Sequence, residues 1–191
     1  MLICNHKLIL KNRDKWPKKP RGIIVANHAS HFDVPAVFIA APVPIFYIAK
    51  KELKNIPFLG WYMQLTGMIF IDRRNAERAR DSMKKAGETI LKGRTVISFP
   101  EGTRSKTGEL STFRKGSFQL AMASKVPVYP LCLIGTHKAL KPGSFEIKPG
   151  RFEAIYCSPF LPEDFENWTP DKFALECKNR IQEAMSGENK S

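Results

Sequence analysis

A histidine and an aspartate five residues apart, His28 and Asp33, stand in the segment 27–33, which reads NHASHFD. Histidine is the natural general base near neutral pH, and a carboxylate on one ring nitrogen fixes its tautomer and stabilises the imidazolium that forms. On one continuous helix, residues five apart would point about 140° away from each other. The segment must therefore turn before a helix begins. Asp33 is expected as the N-cap, with extended backbone before it letting the carboxylate fold back toward His28. A bare H-x-x-x-x-D is weak on its own, and the plain alternative is that Asp33 only caps its helix. His31 is a competing base without a comparable carboxylate spacing, expected as a surface or supporting group.

A second group follows the run TVISF and reads FPEGTRSKTG, 99–108. Gly102, Thr103, Arg104 and Ser105 can offer backbone N–H groups, hydroxyls and a guanidinium to a phosphate, because glycine allows close backbone approach and arginine binds oxyanions bidentately. The alternative is an ordinary polar turn in which Glu101 pairs with Arg104. A third group, Asp72, Arg73 and Arg74, closes the run MIFI. At a strand end these arginines would share an edge of a parallel sheet with His28 and Arg104, the edge where sites form in open α/β sheets. A fourth, VPVYP at 126–130, carries prolines that a central strand would reject, which predicts an edge strand or a strand start beside the site.

The elements that must position these residues are short apolar runs, GIIVAN (22–27), IFYIA (45–49), MIFI (68–71), TVISF (95–99) and VYPLCLI (128–134), with helical pattern between them. The alternation predicts an α/β fold, a mixed and largely parallel sheet flanked by helices. One helix should begin near Asp33, with Pro35 tolerated in its first turn. Another should run over 76–92, capped by Asn75, with Ala76, Ala79, Met83, Ala86 and Ile90 at helical steps and Gly93 at its end. A helix over 113–124 is interrupted by Gly116. The segment 144–157 reads as two strands around a Pro149-Gly150 turn. A last helix, capped by Thr169, should run to Met185.

At 191 residues the chain suits a single domain, 1–191, with the motifs in a core of about 22–134 and a hairpin and helix over 144–187. Its 31 Lys and Arg against 18 Asp and Glu give +13, a field that favours anionic partners. Nucleic acid is not among the expected ones, for the aromatics cluster in apolar runs and there is no zinc spacing or RNA-recognition signature. Cys4, Cys132, Cys157 and Cys177 lie far apart and read as reduced thiols, so no metal and no bound cofactor is expected. The apolar start MLICNHKLILKNR is too short for a secretory signal. The uncharged stretches 34–49 and 56–71 are each 16 residues long, and the first contains three prolines. Both fall short of the roughly 20 residues a spanning helix needs. Phe58, Trp61, Tyr62 and Met63 beside Lys50, Lys51 and Lys54 suit either a headgroup boundary or a buried helix.

In this order the four groups resemble the 1-acyl-glycerol-3-phosphate acyltransferase family of glycerolipid synthesis. NHASHFD is similar to its motif NHxSxxD, GMIFIDR (67–73) to its second, FPEGTRS to its third and VPVYP to its fourth, and 49–67 resembles the usual approach to the second. The resemblance covers about 22–134. It implies a glycerolipid acyltransferase-like fold, His28 as catalytic base with Asp33 as partner, and Asn27 and Ser30 supporting them. It further implies Arg73 and Arg104 on the acceptor's phosphate, Glu101, Gly102 and Thr103 shaping that phosphate site, and Pro130 bordering the acyl-binding region. The implied reaction moves a fatty acyl group from acyl-CoA or acyl carrier protein to the sn-2 hydroxyl of 1-acylglycerol 3-phosphate, directly and without a covalent intermediate. Family members carry hydrophobic helices before the first motif, whereas 26 residues precede Asn27 here. The expectation is therefore a cytoplasmic protein held peripherally on the cytoplasmic face of an anionic membrane, or a chain whose start lies upstream. Three alternatives stay open: the same chemistry on glycerol 3-phosphate or another lysolipid, a basic module without activity, and a relative that has lost catalysis.

Overall fold

The structure is a computed structural model that describes residues 2–3, 6–71, 76–105, 107–139 and 150–188. Each apolar run of the sequence forms a strand, and one further strand pair precedes them. The strands are β1 (Leu2–Ile3), β2 (His6–Lys11), β3 (Gly22–Ala26), β4 (Ile45–Lys50), β5 (Ile69–Ile71), β6 (Thr95–Ser98), β7 (Val128–Ile134) and β8 (Arg151–Tyr156). Between and after them lie helices α1 (Asp33–Ala40), α2 (Leu59–Leu65), α3 (Ala76–Leu91), α4 (Gly116–Ser124), α5 (Thr136–Ala139) and α6 (Pro170–Glu188). One sheet takes them in the order β1-β2-β8-β7-β3-β6-β4-β5. Pairing is parallel except between β1 and β2 and between β7 and β8, so the expected mixed, largely parallel sheet is what the chain forms.

Strand alternation divides the core in two. Ile23, Val25, Val96, Val128 and Cys132 pack with α3, α4 and α6, while Ile24, Ala26, Ile97, Leu131 and Leu133 pack with α1. All five residues of β3 are buried, as a parallel strand covered on both faces requires. Each buried Ile or Val side chain contributes about 1.5–3 kcal/mol, so the end of β3 is a firm base for the residues that follow it. Because β3, β4, β5, β6 and β7 run parallel, their C-terminal ends share one edge. The chain leaves that edge toward α1, α2 and α4 and into α5.

Two expectations need correction. Of the two readings of the fourth motif, the strand start holds, since β7 begins at Val128, but the edge does not: β7 lies between β3 and β8, and Pro130 pairs with Val25 inside it. It is tolerated because of a register slip. Val128 bridges Phe160, whereas Leu131 pairs with Tyr156, so one extra residue on the partner side lies opposite Pro130. The missing N–H faces that bulge, and the Pro130 carbonyl still accepts from Cys157 N at 3.0 Å. Gly116 does not interrupt a helix but begins α4. The N-terminal apolar run is β2, whose Leu8 is buried against the α1 side of the sheet. Asn75 and the first strand of the expected hairpin lie outside the described residues; its second strand is β8.

Candidate active site

Asn27 continues β3 by side chain instead of backbone. Its amide nitrogen donates to the Leu133 carbonyl at 2.9 Å and its amide oxygen accepts from Leu133 N at 2.7 Å, which ties the exit of β3 to the end of β7. His28 follows at the sheet edge. Its Nδ1 lies 2.9 Å from Asp33 Oδ2, and its ring stacks on Phe99 with centroids 4.4 Å apart and planes 22° off parallel. A carboxylate on Nδ1 calls for the proton there, which leaves the lone pair on Nε2.

Asp33 is fully buried and reaches His28 by a route other than the expected one. It is the first helical residue, not the cap; Phe32 flanks the helix in helical conformation and makes no side-chain cap. The carboxylate turns back over the preceding turn, where Oδ2 accepts from Ala29 N at 2.6 Å and Ser30 N at 2.7 Å as well as from His28. Hydrogen bonds to a charged group contribute about 1.5–3 kcal/mol each, and three of them offset the cost of keeping a carboxylate out of water. The plain capping alternative is thereby excluded. Ser30 supports the turn, accepting at its hydroxyl from Phe32 N at 3.3 Å and at its carbonyl from Asp33 N at 3.4 Å.

The loop after β6 wraps this pair. Glu101 is buried and does not pair with Arg104: Oε1 accepts from His28 N at 2.7 Å, and Oε2 accepts from Ser111 N at 3.0 Å and Ser111 Oγ at 2.8 Å. Ser105 N donates to the His28 carbonyl at 2.8 Å, so the backbone of His28 is held on both sides by this loop. Because the loop's buried carboxylate is taken by neutral donors, the exposed guanidinium of Arg104 has no carboxylate partner among the described residues. Its charge is felt at His31, which is held below the ordinary histidine range by partial burial first, then by Arg104 and His28, with Asp33 acting in the opposite sense.

Arg114 was not singled out by sequence reasoning. Its guanidinium lies about where a side chain on Gly102 would begin, 3.0 Å from the position of a Cβ there. Gly102 has φ +73°, so both its backbone and the space above it demand glycine. Arg114 likewise has no carboxylate partner among the described residues, and α4 starts two residues later. The available signal was the basic pair Arg114-Lys115 just ahead of a helix, which reads equally as solvated surface.

The structure thus brings together His28, Asp33, Asn27, Ser30, Glu101, Gly102, Thr103 and Arg104. Arg73 lies outside the described residues. Pro130 is not at this edge: it sits in the interior of β7, four residues before the strand's last, and strand alternation puts it on the α4 and α6 side with Val128 and Cys132. The thiols of Cys132, Cys157 and Cys177 are buried, and burial pushes Cys157 up to about 11 and Cys177 further still. None of them is a ready nucleophile.

The model of the family described as Acyltransferase matches residues 7–134. The chain belongs to the acyltransferase family. Among relatives in that family, the 1-acyl-sn-glycerol-3-phosphate acyltransferase of Limnanthes douglasii is 41% identical over 173 residues, which are 90% of this chain and 60% of that protein. The Saccharomyces cerevisiae enzyme of the same name is 36% identical, over 88% of this chain and 55% of the other. This acyltransferase chain therefore spans little more than half the length of these curated relatives. A crystal structure of the 1-acyl-sn-glycerophosphate (LPA) acyltransferase PlsC from Thermotoga maritima superposes with a TM-score of 0.78 at 31% identity, over 94% of this chain and 73% of that one.

Proposed function

We propose that this protein transfers a fatty acyl group from a thioester, acyl-CoA or acyl carrier protein, to the sn-2 hydroxyl of 1-acylglycerol 3-phosphate, giving phosphatidate. The observation that carries the reading is the 2.9 Å contact of His28 Nδ1 with buried Asp33 beside a loop bearing two guanidinium groups without carboxylate partners. His28 Nε2 takes the proton of the acceptor hydroxyl as its oxygen attacks the thioester carbonyl. Asp33 stabilises the imidazolium, backbone donors stabilise the oxyanion, and the thiolate leaves without needing a strong acid. No covalent acyl-enzyme is formed. Arg104, Arg114 and, from the family resemblance, Arg73 neutralise the acceptor's phosphate, which lies only a few bonds from the reacting hydroxyl.

The protein meets a lipid substrate by peripheral association with an anionic membrane. Among the described residues, no helix is long and apolar enough to cross a membrane. Ile56, Phe58, Trp61 and Leu65 are exposed on and before α2, next to exposed Lys51 and Lys54. That mixture belongs at a headgroup boundary.

Product analysis with lysophosphatidate and one acyl thioester tests the assignment, with glycerol 3-phosphate and a phosphate-free lysolipid as rival acceptors. Phosphatidate is the expected main product. Arg104→Ala should raise the acceptor KM about tenfold or more with little change in donor KM. Equal turnover of the phosphate-free acceptor would contradict the reading.

A further inference from the structure

A cavity of about 610 Å³ opens at the same sheet edge on the β7 side of His28. Asn27 and Ala29, the two neighbours of His28, form part of its wall; the rest comes from the loop at Thr107 to Leu110, the end of β7, the start of α5, and Gln182 and Met185 of α6. The lining is mixed. Leu110, Leu133 and Met185 are apolar, whereas Glu109, His137, Lys138 and Gln182 are polar or charged, and no guanidinium of a described residue takes part.

The wall at α5 is built closely. Gly108 has φ +86°, and a Cβ there would stand 3.1 Å from the His137 ring, so the loop lies directly on the imidazole. Burial first, then Lys138, hold His137 below the ordinary histidine range, so the charged side chains of the lining are exposed Lys138 on α5 and exposed Glu109 on the loop. Thr136, between two wall residues, carries a buried hydroxyl without a partner among the described residues.

Two substrates must meet at His28, and their anionic groups differ in where they lie. The acceptor's phosphate is a few bonds from its reacting hydroxyl, and the guanidinium loop suits it. A thioester donor carries its nearest phosphate at the far end of a pantetheine arm, a chain of methylenes and amides. The cavity's mixed lining, with Lys138 as the one cation among its described residues and standing off the guanidinium loop, fits that second pattern. An acyl chain would fit it less well, since it would desolvate Glu109, His137, Lys138 and Gln182 and offer them no partner.

We infer that the cavity between the Gly108 loop, α5 and α6 binds the phosphopantetheine arm of the acyl donor, with Lys138 on its phosphate. The arm is common to coenzyme A and acyl carrier protein. The inference rests on the acyl-transfer reading, and the tests separate the two. Equilibrium binding of 4′-phosphopantetheine to the protein does not require turnover. Lys138→Glu should weaken it about tenfold or more, and Met185→Trp, which fills the cavity from α6, should do the same. In steady-state assays both variants should raise the KM for acyl-CoA and for acyl carrier protein alike, and leave the lysophosphatidate KM within about twofold. Acyl-pantetheine without the phosphate should be insensitive to Lys138→Glu but not to Met185→Trp. Unaltered phosphopantetheine binding in both variants, a rise in acceptor KM instead, or an effect confined to carrier protein would overturn the inference. Tight Lys138-dependent binding in a protein that transfers no acyl group would leave the site standing and overturn the catalytic reading.

Discussion

One oxygen of Asp33 takes three donors, and both oxygens of Glu101 take three more; between them these two buried carboxylates fix the ring and the backbone of His28. The His28–Asp33 pairing was legible in NHASHFD because the two residues are close in sequence and the helix geometry forces a turn. The role of Glu101 was not. Its partner His28 is 73 residues away, and a local pairing with Arg104 looked equally good on paper. Arg114 was hidden for the same reason, since only the closed loop lays it over Gly102. Removing the Glu101 carboxylate strands the N–H groups of His28 and Ser111 inside the protein, each at a cost of about 1–3 kcal/mol. Glu101→Ala should therefore lower unfolding free energy by about 2–4 kcal/mol in urea titrations, and Glu101→Gln, which keeps an acceptor oxygen, by less than half of that. Equal losses would show that the carboxylate's charge and not its acceptors holds the loop.

At the scale of elements, the apolar runs marked the five parallel strands well, because a strand covered on both faces must be apolar along its length. Pro130 misled, since the rule that excludes proline from central strands holds only while the neighbouring strand stays in register, and the slip at Phe160 breaks that condition. The segment 56–71 could be read as a buried or an interfacial helix, and the structure leaves part of it outside the core. Met63 and Ile69 are buried, while Trp61 is 61%, Phe58 79% and Leu65 88% exposed. Phe58 also has φ +61°, a conformation costly for a bulky residue, and its ring contacts Trp61 edge-on at 5.7 Å. Replacing Phe58, Trp61 and Leu65 together by Ser should lower partitioning onto vesicles containing anionic lipid by about tenfold or more in sedimentation assays. Turnover of a soluble short-chain lysophosphatidate should persist. Undiminished vesicle binding would move the membrane contact elsewhere.

The whole molecule arranges these parts along one edge. The α2 apolar cluster follows β4, the guanidinium loop follows β6, and the mixed cavity lies beyond β7, with His28 at the end of β3 between them. A lipid acceptor from the membrane side and a thioester from the water side would thus reach the same imidazole. The net charge of +13 predicted an anionic partner without choosing one. In the proposed reading the choice rests on two arginines without a carboxylate partner among the described residues and on the exposed aromatics at α2. The catalytic claim itself is tested most directly by single-turnover transfer of a labelled acyl group from thioester to lysophosphatidate, comparing the wild-type protein with His28→Ala and Asp33→Asn. Each substitution should slow transfer by about 10²- to 10⁴-fold, with no label retained covalently on any of the three proteins. Transfer by His28→Ala within a few-fold of wild type, or a labelled acyl-enzyme on the pathway, would rule out direct transfer with His28 as base.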